Sequence, residues 1–164
     1  MIIWSIIYIT AVLIAQYTAT WFFPLPLFGL VAFGTVAFGI TFTARDYVHG
    51  LGRRYVYMMI LAAALASVAL SVVGEVHWRI IAASITAILL AETADTEIYH
   101  RLLQQRWLVR VAGSNSISIP LDSVLFNGIA FAGIFAVPVL AAIIFGEIVV
   151  KFVSGGLVAL WRLI

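Results

Sequence analysis

Residues Trp78–His100 read WRIIAASITAILLAETADTEIYH, an almost uncharged run whose C-terminal part carries three carboxylates. A helix needs about 20 apolar residues to cross a bilayer. Counted from Trp78, that length places Glu92 and Asp95 inside the hydrocarbon core. A charged side chain there costs roughly 2.5–3.5 kcal/mol on insertion scales, so each acid is a functional-site candidate. The spacing i, i+3, i+4, i+7 puts Glu92, Asp95, Thr96 and Tyr99 on one helix face, with Glu97 turned about 100° away from Thr96. Glu97 is expected to meet water at the helix end.

The rest of the chain fits a bilayer. It is 65% hydrophobic and 10% charged, with a mean hydropathy of +1.17, whereas a soluble domain has about 25% charged residues. The 164 residues are read as one transmembrane domain, 1–164, of all-α class: a polytopic membrane protein with six transmembrane helices. Spans are expected at Ile2–Phe23, Leu25–Thr43, Tyr55–Val73, Trp78–His100, Leu121–Val137 and Val139–Leu163. The fifth is short, and Pro138, which cannot donate within a helix, sets the turn before the sixth. The first run lacks a basic flank and exceeds the roughly 7–15 residues of a signal-peptide core, so it is expected to be retained.

Arg45, Arg53 and Arg54 follow the second span and Arg101, Arg106 and Arg110 the fourth, against Arg79 alone on the other side. By the positive-inside rule both termini are expected in the cytoplasm. These arginines give the net charge of +2 and form no basic face for nucleic acid. Trp4, Trp21, Trp78 and Trp161 near span ends read as interfacial anchors. Ala63, Ser67 and Ser71 form a small-residue packing stripe. Gly29, Gly34 and Gly39 recur every five residues, drift around the helix and make no dimer motif.

Other polar residues extend the candidate site. Glu147 and Lys151 stand four apart with the acid first, the favourable order for a same-helix ion pair, and Lys151 is also placed to meet a carboxylate of the fourth span or a ligand carbonyl. The polar stretch Gly113–Ser123 reads as a connection that turns helical at Pro120, a residue tolerated in a first helical turn. Asp122 would then be an acid stabilised near a helix N-terminus, and Asp46 beside Arg45 a surface ion pair. Gln16, Tyr17, Thr18 and Thr20 give the first span a polar face able to bond a ligand or another helix. His49 and His100 map to one side and His77 to the other, without a paired metal-ligand spacing, so no metal and no cofactor is expected. No nucleophile elbow or phosphate-binding loop is present. With no cysteine in the chain, disulfides and thiolate metal sites are excluded.

In order and spacing these residues resemble the VUT family of vitamin uptake transporters, also known as queuosine precursor transporters. The resemblance is carried by Thr43-Ala44-Arg45-Asp46 with Gly52, by Glu92-Thr93-Ala94-Asp95-Thr96-Glu97-Ile98-Tyr99 with Arg101-Leu102, by Ser114-Asn115 with Pro120-Leu121-Asp122-Ser123 and Phe126, and by Glu147 with Lys151. It implies a six-span inner-membrane importer of 7-cyano-7-deazaguanine or 7-aminomethyl-7-deazaguanine. It brings Asp95, Asn115, Asp122 and Lys151 into the site and raises Asp122 above a mere cap-region acid.

The expected substrate-binding set is therefore Gln16, Glu92, Asp95, Tyr99, Asn115, Asp122, Phe126, Glu147 and Lys151. Carboxylates can accept from adjacent N–H donors of a guanine-like edge, Lys151 or Asn115 can meet its carbonyl, and Phe126, Tyr99 or Trp107 can cover its faces. The expected partners are the lipid bilayer and a small deazapurine or vitamin-like molecule, with an oligomer left open. Two other functions remain at this stage: a substrate-binding subunit served by a separate energising partner, and a membrane-embedded enzyme using Glu92 and Asp95 as acid and base.

Overall fold

The computed structural model describes residues 2–26 and 29–161. Its helices are α1 (Ile2–Tyr17), α2 (Gly34–Val48), α3 (Arg53–Val73), α4 (Trp78–Arg101), α5 (Trp107–Phe131) and α6 (Val137–Trp161). A hairpin of β1 (Phe22–Leu25) and β2 (Gly29–Ala32) joins α1 to α2, and a 3-10 turn, His49–Leu51, joins α2 to α3. The principal contacts run α1 to α3, α3 to α4, α4 to α5, α5 to α6, α6 to α2 and α2 back to α1. The six helices thus close a ring.

The ring is built inside out relative to a soluble protein. Ile2, Ile6, Leu61, Leu65, Val72, Val153 and Leu157 are more than half exposed, whereas Arg45, Asp46, Glu92, Asp95, Asp122, Glu147 and Lys151 are all buried. Five of the seven acids of the chain are among them. Apolar skin and charged interior suit lipid as solvent, where unpaired polar groups have no water to turn to. By length and composition, two helices of the described residues, Arg53–Val73 and Val137–Leu160, are apolar enough to cross a membrane.

Several sequence expectations need correction. The first two spans are not continuous helices: α1 ends at Tyr17, and the chain forms the hairpin before α2 begins at Gly34. Pro24 and Pro26 account for the break, since each lacks an amide donor and pushes the residue before it out of helical geometry. The class is thus helical with one small two-stranded sheet. The fifth span is not Leu121–Val137 but α5, starting at Trp107, and Pro120 lies in its middle rather than its first turn. The stretch Gly113–Ser123 is helix interior, not a connection. Pro138 falls in the first turn of α6, so the turn lies just before it. The expected span end at Leu163 lies outside the described residues, as does the side chain of Trp161.

Close helix approaches depend on two glycines. A Cβ on Gly34 would stand 2.5 Å from the carbonyl oxygen of Ala15, and one on Gly39 would collide with Ser154 and approach the carbonyl of Lys151 to 3.1 Å. These contacts bring α2 against α1 and α6. At the hairpin end, Arg79 of α4 donates to the carbonyls of Ile129 (3.0 and 3.2 Å) and Ala132 (2.8 Å) and so caps α5. Ala63, Ser67 and Ser71 are buried on α3, and Ser71 accepts from Gln16 Nε2 of α1 at 2.8 Å.

Candidate functional site

The polar interior divides into two centres. The first surrounds a cavity lined by Gln16, Thr35, Phe38, Ser84, Asp122, Phe126, Glu147 and Lys151 together with small apolar residues. The contributing segments are the end of α1, the start of α2, the first half of α4, the second half of α5 and the middle of α6. The cavity is a narrow slot of about 50 Å³.

Lys151 organises this centre. Its Nζ donates to Asp122 Oδ2 at 2.7 Å, to Ser123 Oγ at 2.9 Å and to Glu147 Oε2 at 3.2 Å, which uses all three ammonium hydrogens. Asn127 Nδ2 adds a 2.9 Å bond to the same Glu147 oxygen. The expected Glu147–Lys151 pair exists, yet the interhelical partner of Lys151 is Asp122 of α5, not a carboxylate of α4. Asp122 is therefore no helix-terminal acid; it is a buried ion-pair partner in mid-helix. With one oxygen of each acid on Lys151, Oδ1 of Asp122 and Oε1 of Glu147 have no hydrogen bond among the described residues. Two carboxylates against one ammonium leave one excess negative charge. Gln16 completes the wall by taking the hydroxyl of Ser84 on its carbonyl oxygen. Phe126 supplies a ring to one side of the cavity, and Phe38 lies 5.6 Å from the Lys151 ammonium on another.

The second centre lies toward the other ends of the helices and is built on Arg45. Its Nη1 bonds Glu92 Oε2, and its Nη2 is ion-paired with Asp95 Oδ2 at 2.7 Å, with all three side chains fully buried. Ser118 Oγ donates to Asp95 Oδ1 at 2.7 Å, bringing α5 into the same network. Sequence reasoning placed Arg45 in a solvated connection and Asp46 in a surface ion pair. Both are buried in the structure, and Asp46 stands 4.0 Å from His49 Nε2 rather than on Arg45. His49 stacks on Tyr99 with ring centres 4.0 Å apart. Arg110 lies 5.1 Å from the centre of the same Tyr99 ring.

Of the nine expected site residues, Gln16, Asp122, Phe126, Glu147 and Lys151 line the cavity. Glu92 and Asp95 belong to the Arg45 centre, Tyr99 lies beside it, and Asn115 is buried on α5 one turn from Ser118. Glu97 lies outside both, paired at the surface with Arg53 and accepting from Tyr57 at 2.5 Å. Trp107 packs near Tyr47 and does not line the cavity. Sequence reasoning passed over Thr35, Phe38 and Ser84. Ser84 was within reach, since it lies eight residues before Glu92 on the buried stripe of α4. As to metals, ligand-capable atoms of Asp46, His49 and Asp95 approach within 4.8 Å of one another. Both oxygens of Asp95 are already engaged and Arg45 supplies positive charge at contact distance, so the arrangement does not suit a metal cation.

A ring of helices with an apolar surface, a charged interior and a cavity that several polar side chains line suits a membrane protein. The chain belongs to the family described as putative vitamin uptake transporter, whose model matches residues 54–161, about two thirds of its length. That match includes nearly all of α3 and the whole of α4, α5 and α6 but begins after Arg45 and Asp46. No curated protein and no solved structure shows significant similarity to the chain.

Proposed function

We propose that this protein imports a flat, guanine-like 7-deazapurine, 7-cyano-7-deazaguanine or 7-aminomethyl-7-deazaguanine, across the cytoplasmic membrane through the slot bounded by Gln16, Ser84, Asp122, Phe126, Glu147 and Lys151. In this reading all six helices span, both termini are cytoplasmic, and the protein is a transporter rather than an enzyme. The observation that carries it is the pair of open carboxylate acceptors, Asp122 Oδ1 and Glu147 Oε1, held in place by Lys151 inside an apolar ring.

A guanine-like edge presents adjacent N–H donors, which two fixed carboxylate oxygens can accept, and a planar two-ring base suits a narrow slot flanked by Phe38 and Phe126. The single excess negative charge favours a cationic substituent, so the aminomethyl compound should bind more tightly than the cyano compound. Glu92 and Asp95, locked onto Arg45, are poorly placed for the acid–base pair of an enzyme, which must reach its substrate within hydrogen-bond distance.

The test is competition for binding between 7-cyano-7-deazaguanine and its analogue without the 2-amino group. A site built to pair that group should reject the analogue by up to about 10⁴-fold, because a buried acceptor loses its partner. Equal competition would remove carboxylate recognition from the account.

A further inference from the structure

We propose that the Arg45 centre is a proton site: one exchangeable proton, held between Asp46 and His49, drives import by moving inward with each substrate. This rests on the transport reading above and adds the energy source to it.

Glu92 and Asp95 pair with Arg45, Asp46 follows Arg45 on α2 and faces His49, and Arg110 lies 5.1 Å over the Tyr99 ring on which His49 stacks. Three carboxylates against two guanidiniums leave one excess negative charge in a site whose Asp46 is 2% and His49 6% exposed. Such a charge is costly in an apolar surround unless it is neutralised. Glu92 and Asp95 are held by Arg45, and Asp95 also by Ser118. Asp46 and His49 are different. Among the described residues neither oxygen of Asp46 and neither ring nitrogen of His49 has a hydrogen-bond partner, although all four atoms are buried. Asp46 Oδ1 and His49 Nε2 face each other at 4.0 Å, about 1 Å longer than a hydrogen bond. One proton would neutralise the cluster and join these two atoms. It would rest on Nε2 or on Oδ1 according to the surroundings, with no other reactant required.

The neighbours of the pair suit this role. Arg45 and Asp46 come from α2, Asp95, Tyr99 and His100 from α4, and Arg110 from α5. His100 lies edge-on to His49 with ring centres 5.2 Å apart and is half-buried, which gives a titratable step toward the arginine-rich end of the ring. In the opposite direction α4 and α5, which hold Asp95 and Ser118 of the Arg45 centre, also carry Ser84 and Asp122 of the slot. Substrate on Asp122 and a proton at Asp46–His49 therefore bear on the same two helices, and coupling between two bound species is necessarily reciprocal.

The experiment uses proteoliposomes of the full-length protein with 7-cyano-7-deazaguanine as probe and the membrane potential clamped at zero. With the lumen one pH unit more alkaline than the outside, one proton per substrate supports accumulation up to about tenfold, since a tenfold ratio and one pH unit are the same free energy. Asp46→Asn and His49→Gln should each abolish accumulation while exchange of labelled for unlabelled probe at equal pH persists, which also shows that the variants fold. Accumulation unaffected by the gradient, or accumulation by both variants equal to that of the unaltered protein, would overturn the proton site. If the probe is not carried under any condition, the substrate assignment fails, and the proton site is judged without substrate. The Asp46 carboxyl and the His49 ring are then followed in the purified protein by infrared and NMR titration between about pH 5 and pH 9, the range in which histidine-linked protons exchange. A change of charge state at either group that its neutral variant lacks supports the site, and no change at either overturns it.

Discussion

Lys151 has no spare hydrogen: each of its three donors is spent on a buried oxygen. Replacing it strands Asp122 and Glu147 together, and removal of one partner of a buried ion pair typically costs about 3–5 kcal/mol. Lys151→Met should therefore lower the melting temperature sharply. Adding Asp122→Asn should recover more of the loss than adding Glu147→Gln, because the Asp122 contact is the shorter and Glu147 retains Asn127. A double-mutant cycle on each pair measures the coupling, and equal recovery would place Lys151 symmetrically between the acids. Arg45→Met should be similarly destabilising, since it leaves Glu92 and Asp95 unpaired at zero exposure. Partial rescue by Glu92→Gln, read by thermal unfolding, is the expected signature.

At the scale of elements, the helices of this protein meet where side chains are missing. Gly34→Ala should destabilise by about 1–3 kcal/mol, the usual range for overpacking, because the added carbon meets the backbone of Ala15, which cannot swing aside. Gly156→Ala, where nothing lies within 4 Å, is the control and should leave stability near that of the unaltered protein. Hydrogen exchange provides a second check at this scale: amides of Gly113–Ser118 should exchange slowly, as in a helix interior, rather than quickly, as in a loop. That segment shows where sequence reasoning misled. Its serines look like a connection by the standards of soluble proteins, yet Ser114, Ser118 and Asp122 recur every fourth residue and mark a polar stripe facing the ring interior. The same periodicity was read correctly for Glu92, Asp95, Thr96 and Tyr99, all buried on one face of α4. Pro24 and Pro26 were a local signal for the hairpin that sequence reasoning passed over, running its second span through Pro26. The burial of Arg45 had no such signal, because its partners lie 47 and 50 positions away and nothing local distinguishes it from an arginine at a membrane surface.

Across the whole molecule, the closed ring and the distribution of arginines make one orientation expected. Arg53, Arg54, Arg101 and Arg106 lie at one end, and the hairpin and the α3–α4 connection at the other. The absence of native cysteine makes labelling simple: a cysteine at exposed His77 should react with a membrane-impermeant reagent on intact cells, and one at Leu103, half exposed at the opposite end, only after permeabilisation. The reverse pattern would invert the topology. The interior holds two polar centres, and the proposed import assigns substrate to the Lys151 centre alone. Affinity for 7-cyano-7-deazaguanine, measured by titration calorimetry on the unaltered protein, Asp122→Asn and Asp95→Asn, separates them. Asp122→Asn is expected to weaken binding by at least about tenfold, as loss of a charge-assisted hydrogen bond requires, while Asp95→Asn keeps its affinity and loses melting temperature. Undiminished binding by Asp122→Asn together with lost binding by a folded Asp95→Asn would contradict that assignment.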